Sequence, residues 1–152
     1  MKREFFLSSK KQKDVSGTAN VLVDGRGPFN GVVDTFVKDG NKVYVVAKQK
    51  FDLKRSAALS FSFEADIANG KHEYTEDSGL DISYIEGEVF DGWTRYIFYS
   101  GIYNTGNVTL TFDGVAGTLK AGFDLDVETD PGKPLNAIGA FRDVAGLKHV
   151  DK

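Results

Sequence analysis

Apolar and polar residues alternate most strictly between Asn107 and Val127. Val108, Leu110 and Phe112 share one side of a first run, and Leu119, Ala121, Phe123, Leu125 and Val127 share one side of a second. Thr109, Thr111, Lys120, Asp124 and Asp126 take the opposite side. Successive side chains of a strand project to opposite faces, so this pattern predicts two strands, each with one face on a core and the other in water. The glycine-bearing stretch between them predicts the turn of a β-hairpin.

The same reading extends along the chain. Gly17 to Val23 predicts a first strand, and Gly25-Arg26-Gly27-Pro28-Phe29-Asn30-Gly31 predicts a loop. Gly31 to Lys38 and Lys42 to Leu53 are rich in β-branched residues and are joined by Asp39-Gly40-Asn41, a hairpin signal. Lys54 to Ala58 reads as a helical turn or a connecting loop. Leu59 to Ile67 alternates, with Leu59, Phe61, Phe63, Ala65 and Ile67 directed inward. Leu80, Ile82 and Tyr84 predict a further strand, with Ile85 out of phase and a bulge expected beside it. Trp93 to Tyr103 is apolar or aromatic on both faces, which predicts a central strand covered on both sides. Ile138 to Val144 supplies the last strand.

About nine or ten short strands, with turns between them and no amphipathic helix, predict an all-β antiparallel sandwich; a closed barrel of the lipocalin type is the alternative. Residues 17–147 read as one β domain, preceded by a basic arm at 1–16 and followed by a polar tail at 148–152.

Charge changes this picture only at its start. The chain carries 19 Lys+Arg and 22 Asp+Glu, a net −3. The basic residues Lys2, Arg3, Lys10, Lys11 and Lys13 crowd the arm and leave the body acidic. An acidic body opposes a phosphate backbone, so no nucleic-acid partner is expected. No run approaches the ~20 apolar residues of a membrane-spanning helix, and Phe5-Phe6-Leu7 is too short for a signal peptide. With no cysteine, disulfides and thiolate chemistry are excluded, and a reducing, cytoplasmic setting is favoured.

Candidate chemistry is sparse. The two histidines, His72 and His149, sit in no recognisable pattern, and the loop at 25–31 has neither dinucleotide-binding nor P-loop spacing. Asp124, Asp126, Glu128 and Asp130 recur at every second position, so an extended strand would line them along one face, where their oxygens would suit Ca²⁺. A solvated face kept charged against edge pairing is the simpler reading of those four, and no cofactor is expected. The aromatic strand is more informative. Trp93, Tyr99 and Tyr103 fall on one face with Arg95, and flat rings with polar tips suit stacking on sugars or packing against a protein. Core filling by the same rings is the competing explanation. Asn107-Val108-Thr109 is a glycosylation sequon, relevant only in a eukaryotic secretory setting.

The reading that follows is a non-catalytic binding domain for a carbohydrate or a protein, with Trp93, Arg95, Tyr99 and Tyr103 as its ligand-binding residues. Two alternatives are a structural protein that self-associates through its basic arm, and a hydrolase that uses carboxylates or His72.

Overall fold

The structure, a computed structural model, describes residues 11–129 and 132–150. These form eleven strands: β1 (Ser16–Val23), β2 (Phe29–Asp39), β3 (Lys42–Lys50), β4 (Arg55–Glu64), β5 (Gly70–Glu73), β6 (Asp81–Phe90), β7 (Trp93–Gly101), β8 (Asn107–Asp113), β9 (Thr118–Glu128), β10 (Leu135–Ala145) and β11 (Lys148–Val150). A single 3₁₀ turn, Glu76–Ser78, lies between β5 and β6, and there is no α-helix among the described residues.

The fold is an antiparallel β-sandwich. Pairing runs in the order β10-β1-β2-β3-β4-β6-β7-β9-β8-β5, and β9 also pairs with β10. Every pairing is antiparallel except that of β11, which lies parallel to β2. The ring of strands thus returns on itself, but its closure between β7 and β9 consists of two residue pairs, Ser100 with Glu128 and Gly101 with Val127. Across the interior, Phe63 of β4 meets Phe112 of β8 edge to face, and Phe61 of β4 stacks on Phe141 of β10. Those contacts press the layer holding β8 and β10 onto the layer holding β4, around one apolar core.

The β8–β9 hairpin follows its alternation. Val108, Leu110, Leu119, Ala121, Phe123, Leu125 and Val127 are all buried, and Thr109, Thr111, Lys120 and Asp124 are exposed. Its turn is shaped by Asp113, whose carboxylate accepts the N–H groups of Val115 and Ala116, both at 2.9 Å.

Several expectations need correction. Arg55 to Ala58 is neither helical nor a loop: it opens β4, pairing with Glu88 to Ile85 of β6. The strand that begins there ends at Glu64, so Ala65 and Ile67 belong to the following turn, and β3 stops at Lys50, short of Leu53. No bulge sits at Ile85. The β6 register is unbroken against both β4 and β7, and Ile85 is buried on the opposite face from Tyr84, level with Ala58 and Phe98. The aromatic strand β7 is not covered on both sides along its length, since Trp93, Thr94 and Arg95 are exposed. The region after Asn69 holds the short strand β5, which the sequence pattern does not reveal. Lys148–Val150, within the polar tail, forms β11. Most of the basic arm, including Phe5-Phe6-Leu7, lies outside the described residues.

Candidate functional site

β3, β4, β6 and β7 reach further at one end of the sandwich than the strands opposite them. β4 continues to Arg55 and the β6–β7 hairpin to the pair Phe90–Trp93, whereas β9 ends at Glu128 beside Ser100. Among the described residues no strand pairs with the other edge of Trp93–Ile97. The inward faces of β4, β6 and β7 therefore open at this end into a cleft of about 250 Å³, lined by Arg26, Arg55, Glu86, Glu88, Arg95 and Phe51 among others.

Phase along β6 explains what lines it. Ile82, Tyr84, Glu86, Glu88 and Phe90 share one parity and hence one face. The first two are core residues, and the next two carry the inner surface from apolar to charged. Glu86 is the hub. One carboxylate oxygen accepts from the Arg26 guanidinium at 2.6 Å and from the Tyr99 hydroxyl at 3.1 Å, and the other accepts from the Tyr84 hydroxyl at 3.3 Å. Arg26 arrives from the β1–β2 loop and also lies over the Tyr99 ring, 5.9 Å from its centre. Burial and then the Glu86 charge push the Tyr84 and Tyr99 hydroxyls above the ordinary phenol range. Burial alone would lower the Arg26 pKa, but the adjacent Glu86 carboxylate more than offsets that, so the guanidinium stays charged.

Nearer the mouth, the Arg95 guanidinium lies 3.5 Å from Glu88 and sits over the Phe90 ring, 5.2 Å from its centre. Trp93 stacks on Phe90 with centroids 4.8 Å apart and planes 25° from parallel. Trp93 remains 57% exposed, so one broad aromatic face is open to solvent at the rim. Arg55 is held to Asp52 at 3.0 Å. Each of the three arginines is thus matched by a carboxylate, two of which, Glu86 and Glu88, themselves line the cleft.

The four aromatic-strand candidates are therefore divided. Arg95 lines the cleft, Trp93 adjoins it through the Phe90 ring that both contact, and Tyr99 is buried behind it on Glu86. Tyr103 is not among them: it lies past the far end of β7, stacked on Tyr74 at 5.2 Å. Among the acidic candidates, Asp124 is exposed and accepts a hydrogen bond from Asn136 at 2.9 Å, and Glu128 is exposed at the end of β9. Asp126 is half-buried, and Asp130 lies outside the described residues. No three acidic or histidine side chains converge as a metal site would require, among the described residues. His72, on β5, donates from its ring nitrogen to the Ala68 carbonyl at 2.5 Å when that nitrogen carries the proton.

No protein-family model matches the chain, and neither a curated protein nor a solved structure does.

Glu86, Arg26 and Arg55 are cleft residues not singled out from the sequence. The signal for Glu86 and Glu88 is present, because they continue the inward parity of Ile82 and Tyr84. Arg26 carries no such signal, being brought to Glu86 from 60 residues away.

Proposed function

We propose that the chain is a non-catalytic carbohydrate-binding domain that takes a sugar ring in the cleft between Glu86 and Trp93. The observation that carries this reading is the exposed Trp93, stacked on the Phe90 ring that the cleft-lining Arg95 also covers, next to a cleft whose arginines and carboxylates are paired. A sugar has an apolar ring face that stacks on an indole, and hydroxyls that both donate and accept. Guanidinium–carboxylate pairs serve such hydroxyls from both sides. A simple anion would be opposed by Glu86 and Glu88, and a cation by the three arginines. Both oxygens of Glu86 already accept hydrogen bonds, which makes it an anchor for the site and leaves the hydrolytic alternative without an evident proton donor there.

The test is a titration of Trp93 fluorescence with a panel of mono- and oligosaccharides, the single tryptophan giving one unambiguous reporter. A saturable change in emission is expected with at least one sugar. By isothermal titration, Trp93→Ala should weaken that sugar about tenfold or more, equivalent to about 1.4 kcal/mol. A panel that leaves both emission and heat unchanged overturns the reading.

A further inference from the structure

Two neighbouring hairpin tips stand at this end of the molecule, and they have a second property besides the cleft that Phe51 also lines. The β3–β4 connection, residues 51–54, is tied to the β6–β7 hairpin by the Val89 N–H, which donates to the Lys54 carbonyl at 2.7 Å. Together the tips expose large apolar side chains: Leu53 is 88% exposed, Val89 45% and Phe51 38%, with Trp93 on the face of the β6–β7 hairpin opposite to Val89. Leu53 and Val89 line one groove of about 320 Å³ with Lys48, Lys50 and Lys54.

The conformation holding Leu53 out is built in. Asp52 accepts the N–H groups of both Lys54 and Arg55 at 2.8 Å and the Arg55 side chain at 3.0 Å, which fixes the loop with Leu53 at its apex. The stretch from Lys48 to Arg55 carries a formal +3 in a chain of net −3, with Lys48 paired to Asp34 and Arg55 to Asp52, while the β6–β7 tip adds Asp91. Lys50 and Lys54 form no ion pair among the described residues.

The geometry points to these tips as a docking surface for an anionic lipid membrane. Aliphatic side chains on a convex apex insert into the boundary between headgroups and acyl chains, lysines around them meet lipid phosphate, and an indole settles at the headgroup level. Apart from the basic arm, the remainder of the chain is acidic and is repelled by an anionic bilayer, so attraction of the β-domain falls on this lysine-bearing tip.

The experiment is sedimentation of the protein with vesicles of phosphatidylcholine alone, and with vesicles containing about 30 mol% phosphatidylserine. Binding to the phosphatidylserine vesicles at low salt is expected, with release at high salt, little binding to phosphatidylcholine and a blue shift of Trp93 emission. Leu53→Asp and the double change Lys50→Glu with Lys54→Glu should each reduce the bound-to-free ratio about tenfold, because hydrophobic insertion and lysine–phosphate attraction each contribute to the same contact. These side chains are exposed, and far-UV circular dichroism checks that the fold is kept. Absence of wild-type binding to phosphatidylserine vesicles at low salt overturns the assignment. So does unchanged binding by Leu53→Asp, which would reduce the contact to diffuse charge attraction. Self-association of the free protein that Leu53→Asp abolishes, without vesicle binding, would assign the tips to a protein contact and also overturn it.

Discussion

The two ends of the sandwich use tyrosine in opposite ways. At one end Tyr74 is buried, its hydroxyl accepting the Ile82 N–H at 3.0 Å and its ring lying against Gly101, where a Cβ would collide with it. The chain is cramped there, since a Cβ on Gly106 would overlap the Asp124 carbonyl oxygen. At the other end Tyr84 and Tyr99 place their hydroxyls on a carboxylate that also holds an arginine, in a cleft open to solvent. The same side chain closes one end and furnishes the floor of a site at the other. What distinguishes them is the partner: a backbone amide that must be satisfied in place, or a charged side chain that water can also reach.

Replacing the buried ring is the strongest way to test this contrast. Tyr74→Ala should destabilise by about 3–5 kcal/mol in urea melts, from lost packing and the cavity left behind. Tyr74→Phe should still cost about 1–3 kcal/mol, because it orphans the Ile82 amide in the interior. A smaller effect belongs to the cleft. Folding holds the Tyr84 and Tyr99 hydroxyls above the ordinary value of 10.0. Their contribution is therefore complete below that pH and declines as the pH rises past it towards the folded-state values. Unfolding free energy should fall above about pH 10, and absorbance titration should show Tyr84 and Tyr99 ionising late. Glu86→Gln should make both ionise earlier. Smallest of all, Trp93→Ala should change stability by no more than about 0.5 kcal/mol, since it removes an exposed ring, even as it impairs sugar binding. If Trp93→Ala and Tyr74→Ala proved equally costly, the division into a closed end and a binding end would fail.

Legibility in the sequence follows the same division. The β8–β9 hairpin is readable because one face meets the core and the other meets water, and alternation records that directly. Arg55 to Ala58 is harder, because β4 there lies at the open end and has lost the contrast between its faces. Trp93 to Arg95 misleads for the related reason that aromatic residues on both sides of a strand suggest burial, whereas these three extend past the opposing layer. The grouping of Trp93, Arg95 and Tyr99 was legible from parity alone. Tyr103 shares their parity but follows the strand, where the chain turns and the two-residue period no longer holds. The Arg26–Glu86 pair depends on how distant segments fold together, which no local pattern encodes.

The junction of β7 with β9 gives the molecule a clasp. Every other neighbour in the ring is joined by at least four consecutive or near-consecutive residue pairs, but here two pairs and the Ile102 N–H on the Asp126 carbonyl complete the circuit. A seam of so few hydrogen bonds opens at far lower free energy than the strands on either side of it. Amide protons at this seam would exchange with solvent through local unfastening, while those of β3 and β4 wait for global unfolding. Because Gly101 of this seam lies against the buried Tyr74 ring, unfastening it would loosen the closed end of the core first.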